Sequence, residues 1–141
     1  MGVDIIPEFD TPGHSGAFTK VRPDLMLPQN QAVNGNAKRA GEQFDLSGDV
    51  NSKDSQYGKS LSFVQGVWDE YLTDNMFDDS MTVHIGTDEY YGEANCFRKF
   101  TDDMIKHLKK KGYKVRMWGS LTNKKENQPD AYPVDGRGCT A

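Results

Sequence analysis

The chain has 141 residues, with 17 Lys and Arg against 21 Asp and Glu and a formal net charge of −4, and this length suits one domain of ordinary size. The acidic balance argues against a nucleic-acid surface, whose signature is a clustered basic excess. No apolar run approaches the ~20 residues that span a bilayer, and no signal peptide is recognisable at the start. We therefore expect no nucleic-acid partner and no membrane span.

Two cysteines, Cys96 and Cys139, occur in the chain, and no CxxC or Cys/His pair accompanies them. This spacing supports neither a disulfide framework nor a structural zinc site. We expect free thiols, no cofactor and no metal.

The first half of the chain contains one predicted strand and one predicted helix. Residues 3–9 are β-branched and apolar and predict the strand. Residues 11–57 are rich in Gly, Pro, Asn, Gln, Asp and Lys, which predicts an irregular region or short helices without a periodic signal. An amphipathic helix is predicted from about residue 59 to residues 74–75, because apolar side chains recur every three or four positions: Leu61, Val64, Val67, Trp68, Tyr71 and Leu72.

The second half adds two strands and a helix. Residues 81–86 and 114–118 read as strands, and an amphipathic helix lies between them, marked by Phe97, Phe100, Thr101, Met104, Ile105 and Leu108. Lysines and Gly112 follow this helix, as expected at a helix end. We expect residues 122–141, rich in Asn, Lys, Pro and Gly, to form an irregular tail.

This βαβαβ order predicts an α/β fold with parallel strands. Along the second strand, Val83 and Ile85 share one face, whereas Thr82, His84 and Gly86 share the other. A parallel sheet with one polar face fits the interior of a (β/α)8 TIM barrel better than an open sheet. A full barrel takes roughly 250 residues, so we expect a partial barrel with about three strands.

Chemically reactive residues follow the predicted strands, where parallel sheets collect their sites. The first such segment is Pro7-Glu8-Phe9-Asp10-Thr11-Pro12-Gly13-His14. Pro12 and Gly13 suit the central positions of a type II turn, which would direct His14 back over the strand ends. The alternative is a strand-ending turn with solvated acids and a surface histidine.

The second segment is His84-Ile85-Gly86-Thr87-Asp88-Glu89. Adjacent carboxylates on a loop are usually solvated. Directly after a buried strand they are partly desolvated and repel each other, which raises the pKa of one of them. A carboxyl group with a raised pKa can act as a general acid near neutral pH.

These two segments resemble the motifs PEFDxPGH and HxGGDE, which end successive barrel strands in the β-N-acetylhexosaminidases of glycoside hydrolase family 20. Trp118 resembles the tryptophan that ends the following strand. The resemblance covers about residues 2–121 and implies the central part of a family 20 catalytic barrel.

The resemblance implies retaining, substrate-assisted hydrolysis of β-linked glycans that contain N-acetylhexosamine. Glu89 would be the general acid/base, and Asp88 would orient the 2-acetamido group of the sugar. His14 would belong to the hydrogen-bond network of Glu89, and Trp118 would line the acetamido pocket. Asp10 and His84 match motif positions and would support the strand ends.

The sequence also departs from the motif. Thr87 replaces the second glycine of HxGGDE, and Tyr90-Tyr91 follow the acid, which together with residues 20–25 is closer to the lacto-N-biosidase-like branch. Other pocket residues of the family, including its substrate-binding arginine, have no counterpart here, and residues 130–141 do not resemble the family's continuation. We therefore expect little or no turnover by this chain, and a parent enzyme that is exported.

Two alternatives remain open. His14, His84 and Asp88 are residue types that bind metals at strand ends, which would make a metal-dependent hydrolase. An inactive or carbohydrate-binding piece would instead use Trp68, Trp118 and the tyrosines as core or sugar-stacking residues.

Overall fold

A parallel three-stranded sheet is the centre of the computed structural model, which describes residues 2–32, 36–73 and 81–118. The strands are β1 (Glu8–Thr11), β2 (Thr82–Gly86) and β3 (Lys114–Arg116), in the spatial order β1-β2-β3. Both neighbouring pairs are parallel, which confirms the predicted strand directions.

Three α-helices connect or flank the strands: α1 (Gly16–Val21), α2 (Gln56–Tyr71) and α3 (Ala94–Lys110). The two predicted helices, α2 and α3, are confirmed. Helix α2 begins three residues before its predicted start at about residue 59, and α3 begins three residues before Phe97. Their starts are fixed by capping side chains. The Ser55 hydroxyl accepts a hydrogen bond from Gly58 N, and the Glu93 carboxylate accepts from Asn95 N and Cys96 N.

The first strand is shorter than predicted and begins later. Residues 2–7 are not part of a strand, and the side chains of Val3 and Ile5 are exposed. Backbone hydrogen bonding from β2 reaches back only to Pro7, whose carbonyl accepts from His84 N at 2.9 Å. An apolar β-branched run needs a neighbouring strand to form a ladder, and none of the described residues pairs with residues 2–6.

The long polar region is organised by α1 and by short 3-10 helices at Pro23–Leu25, Gln29–Gln31 and Ala37–Glu42. Leu25, Phe44 and Leu46 from this region are fully buried in the main core. Short helices of this kind carry no periodic apolar signal. The predicted end of the first amphipathic helix at residues 74–75 is too late, because α2 ends at Tyr71 and Leu72 caps it. The predicted irregular tail at residues 122–141 and Cys139 lie outside the described residues.

The two faces of the sheet have different neighbours, as the alternation predicts. Val83 and Ile85 are fully buried in the core, and Phe9 packs edge-on against Trp68 of α2 with ring centroids 4.7 Å apart. Glu8 and His84 are register partners on the opposite face. The helices therefore hold one face of the sheet, and the other face carries ionisable groups.

Membrane-spanning helices and cysteine thiols are the last two features of the fold. Within residues 2–32, 36–73 and 81–118, no helix combines the length and the apolar character needed to cross a membrane. Cys96 is a buried free thiol at the start of α3.

Candidate active site

His14 brings together the two carboxylates that follow β2. Its Nε2 atom lies 3.0 Å from Oε2 of Glu89 and 3.6 Å from Oδ1 of Asp88. Asp88 is the more buried acid, with 26% of its side chain exposed against 58% for Glu89. Asp88 therefore lies deeper in the site and Glu89 nearer the solvent.

Unusual backbone conformations shape the two loops that carry these residues. His14, Thr87 and Glu89 have φ values of 50°, 60° and 45°, in the left-handed region that non-glycine residues rarely adopt. Such conformations concentrate at functional sites, where the surrounding structure enforces them.

The expected type II turn with a positive φ at Gly13 is wrong, because the positive φ occurs one residue later, at His14. Gly13 is required for a different reason. A Cβ atom at this position would lie 2.7 Å from the Asp88 carbonyl oxygen and 3.3 Å from that of Glu89. The absence of a side chain allows the loops after β1 and β2 to approach each other.

Gln43 contacts both of these loops through its buried side chain. Its side chain is 1% exposed, and its Oε1 atom accepts a hydrogen bond from Tyr91 N at 3.2 Å. The same oxygen would lie 3.3 Å from a Cβ at Gly13. Gln43 lies in the polar, aperiodic region of the sequence, so no sequence pattern singles it out as part of this site.

Asp10 projects from β1 toward the loop after β2. Its Oδ1 accepts a hydrogen bond from Thr87 N at 3.1 Å, and a carboxylate oxygen of Asp10 lies within 4.8 Å of one of Asp88. Burial, followed by the Asp88 hydrogen bond and the charges of Asp88 and Glu8, raises the pKa of Asp10 from 3.8 to about 8, against the opposing Thr87 hydrogen bond. Asp10, which the motifs indicate only as a support of the strand ends, is thus a carboxyl group with a raised pKa.

Asp88 has an oxygen that lacks an obvious donor. Its Oδ1 atom is buried, and no N–H or hydroxyl group of the described residues donates a hydrogen bond to it. Because a carboxylate oxygen accepts hydrogen bonds and this one is buried, it is available to a donor from a neighbouring acid.

A second cluster joins the start of β1, the middle of β2 and the segment after β3. Trp118 donates from Nε1 to Oε1 of Glu8 at 3.0 Å, and Nδ1 of His84 lies 3.3 Å from the same oxygen. The indole of Trp118 also contacts the His84 ring, with centroids 4.6 Å apart. Trp118 is half exposed, so its ring is accessible beside the polar face of the sheet.

The residues of the metal alternative are divided between these clusters. One possible ligand atom from each of Asp10, His14 and Asp88 lies within 4.8 Å of the others. Among the described residues, His84 is not a member of that group and contacts Glu8 instead. The geometry therefore does not assemble His14, His84 and Asp88 as one ligand set.

Comparison with known sequences identifies the family. The family described as "Glycosyl hydrolase family 20, catalytic domain" matches residues 1–115. The chain belongs to glycoside hydrolase family 20. A lacto-N-biosidase from Bifidobacterium bifidum is 26% identical over 131 residues, which cover 83% of this chain. The match spans 11% of the length of that relative.

Thr87 departs from the family 20 motif at a position where the backbone conformation favours glycine. Thr87 occupies the second glycine position of the HxGGDE motif and has a φ of 60°. Glycine adopts this conformation freely, whereas a β-branched residue does so with strain. The Thr87 side chain is fully buried, and its hydroxyl donates to the Gly86 carbonyl at 2.7 Å.

Proposed function

We propose that this chain forms the acid/base part of a family 20 active site, within a (β/α)8 barrel whose central part comprises residues 1–121. The proposed activity is retaining hydrolysis of β-linked glycans that contain N-acetylhexosamine. The observation that carries the proposal is the contact of His14 with both Asp88 and Glu89 at the C-terminal ends of neighbouring parallel strands. Sites in barrels of this kind form at those ends.

In the first step, the 2-acetamido oxygen of the substrate attacks the anomeric carbon, and the glycosidic C–O bond breaks. Glu89 transfers its proton to the leaving oxygen, so the departing sugar leaves as a neutral alcohol. Its 58% exposed side chain supports this role, because the leaving group extends toward solvent. The product is a cyclic oxazolinium, which carries the positive charge that develops on the former amide as the C–O bond breaks, and Glu89 is left as a carboxylate.

Asp88 orients the acetamido group during this step. Its Oδ1 is buried, but 26% of its side chain is exposed, so its second oxygen can accept the acetamido N–H. The nearby carboxylate also stabilises the positive charge that develops on the amide.

In the second step, water attacks the anomeric carbon and the ring opens. Glu89, now a carboxylate, removes one proton from the water, and the C–O bond to the acetamido oxygen breaks. The product sugar has the original anomeric configuration because the centre is inverted twice. The 3.0 Å contact with His14 supports both steps, because it holds the Glu89 carboxyl in a fixed position.

The half-exposed indole of Trp118 provides an apolar wall for the acetamido methyl group. Its Nε1–H is directed to Glu8 and the His84 ring contacts the indole, while the exposed half of the side chain is accessible for this contact. Asp10 and His84 support the strand ends.

The primary test measures binding by the 141-residue chain. We expect the thiazoline derivative of N-acetylglucosamine, a neutral mimic of the oxazolinium, to raise the midpoint of thermal unfolding followed by circular dichroism. Asp88→Asn should reduce this shift. An undiminished shift in the Asp88→Asn, Glu89→Gln double variant would favour a carbohydrate-binding surface instead, and no shift in wild type would contradict the proposed site.

Hydrolysis of aryl β-N-acetylglucosaminides by a complete parent enzyme provides the second test, with Glu89→Gln compared against Glu70→Gln. Glu70 lies exposed on α2, so its variant removes the same charge away from the site. We expect Glu89→Gln to lose roughly 10²–10⁴-fold in kcat/KM, and less for an aryl group that leaves without protonation. Equal rates for the two variants would contradict the role of Glu89.

A further inference from the structure

A carboxylate oxygen of Asp10 lies within 4.8 Å of one of Asp88, and the buried Oδ1 of Asp88 has no N–H or hydroxyl donor among the described residues. Two ionised carboxylates contain only acceptors, so a hydrogen bond between them needs a proton on one side chain. The surroundings indicate which acid carries it. Asp10 is close to two other carboxyl groups, Glu8 on its own strand and Asp88 after β2. Asp88 instead has Nε2 of His14 at 3.6 Å, a neighbour that favours an anion when it is protonated.

Asp10 is also held in a fixed orientation. Its Oδ1 accepts from Thr87 N at 3.1 Å, which leaves its second oxygen to carry a proton. Gly86 faces the same carboxyl group, because a Cβ at residue 86 would lie 2.0 Å from Oδ1 of Asp10. One oxygen thus faces a backbone donor while the carboxyl group reaches Asp88.

We propose that Asp10 is a positioning residue that holds a proton in the folded chain and donates it to Asp88, so that the pair carries one negative charge. The hydrogen bond fixes the Asp88 carboxylate in the direction of the acetamido group. Loss of the Asp10 proton replaces this bond with repulsion between two anions and releases Asp88 from that orientation. The link to substrate rests on the proposed function, whereas the shared proton does not.

The raised pKa of Asp10, about 8, agrees with this arrangement and sets the pH range of the test. The charged or titratable described groups that face Asp10 are Glu8 from β1, Asp88 from the loop after β2 and His14 from the turn after β1. Two of these are acids, and each disfavours ionisation of Asp10.

The first experiment is a pH titration of the uniformly ¹³C,¹⁵N-labelled 141-residue chain by NMR. We expect the Asp10 carboxyl carbon to keep its protonated chemical shift at pH 6–7 and to titrate near pH 8. The Thr87 amide, which donates to Asp10, should report the same midpoint without any substitution. A midpoint below about pH 5 at both atoms, near the ordinary value for Asp, would overturn the proposal.

The second experiment compares the pH dependence of thiazoline affinity in wild type and in Asp10→Asn and Asp10→Leu. Asparagine reproduces the protonated acid, since its carbonyl accepts from Thr87 N and its NH2 group donates to Asp88. We expect wild-type affinity to fall about fivefold from pH 8 to pH 9, as the protonated fraction of Asp10 falls. Asp10→Asn should show no such fall, and Asp10→Leu should bind weakly at every pH. The same fall in Asp10→Asn would overturn the positioning role.

The two proposals can fail separately. If Asp10 titrates near pH 8 but the thiazoline binds at no pH, the shared proton stands and the proposed function of this chain fails. If the thiazoline binds and Asp10 titrates near pH 4, the function stands and the role of Asp10 fails.

Discussion

Gly86 allows β1 and the loop after β2 to come into contact, and Gly86→Ala tests how strongly the fold depends on this. The added Cβ would lie 2.0 Å from Oδ1 and 2.6 Å from Cα of Asp10. Since one of these atoms is backbone, a change of side-chain rotamer cannot relieve the clash. The φ of 69° adds about 1–2 kcal/mol for any residue with a Cβ, and overpacking adds about 1–3 kcal/mol. We expect a loss of about 2–5 kcal/mol in the free energy of unfolding.

The matched control is Gly66→Ala in the middle of α2. A Cβ at residue 66 would have no heavy atom within 4 Å, and alanine favours a helix over glycine by about 0.5–1 kcal/mol. Urea unfolding followed by circular dichroism at 222 nm measures both variants. We expect a lower midpoint than wild type for Gly86→Ala and a slightly higher one for Gly66→Ala. Equal midpoints for the two variants would refute the reasoning from close approach.

Three further predictions use the same unfolding measurements or fluorescence. Gln43→Leu should lose about 1–3 kcal/mol, because the Tyr91 N–H is left without its acceptor; an unchanged urea midpoint would contradict this. The folded pKa of Asp10 lies above its unfolded value of 3.8, so wild-type stability falls as the pH rises from about 4 to 8. Asp10→Asn lacks this loss, so its free energy of unfolding relative to wild type should rise by about 2–3 kcal/mol over that pH range. This value is roughly half the full linkage energy, because solvent partly screens the carboxyl group. A difference that stays constant with pH would refute this prediction. Glu8→Leu, but not Glu8→Gln, should shift the fluorescence emission of Trp118, because only the glutamine retains an acceptor for the indole N–H; identical spectra would argue against this contact.

The sequence allowed the architecture to be predicted wherever side-chain periodicity reflects burial. Val83 and Ile85 alternate with polar residues because one face of β2 packs on helices, and that alternation was visible in the sequence. The extent of β1 was not predictable in this way. Val3 and Ile5 have the residue types of a strand, but strand formation also requires a hydrogen-bonding neighbour, which local sequence does not encode.

The residues of the candidate site could be predicted from the sequence, but the distances between their side chains could not. The motifs pointed to His14, Asp88 and Glu89, and the structure brings these three side chains together. The contact between Asp10 and Asp88 depends on how far two loops approach each other, and that distance is set by Gly13 and other groups distant in sequence. The buried Gln43 escaped prediction for the same reason, since its partners lie on two other segments of the chain.

One face of the sheet packs on helices, and the other carries ionisable groups. Along a strand, odd- and even-numbered positions should therefore respond differently to mutation. In β2, changes at Val83 and Ile85 alter the core and therefore the amount of folded protein, whereas changes at His84 act on the polar face. A saturation mutagenesis library of residues 82–85, scored separately for cellular abundance and for ligand binding, would then show a two-residue period in each score, with opposite phase. Residue 86 is the exception, because its close approach to Asp10 makes it critical for folding. Over residues 82–85, each face can accordingly change under selection while the other is conserved.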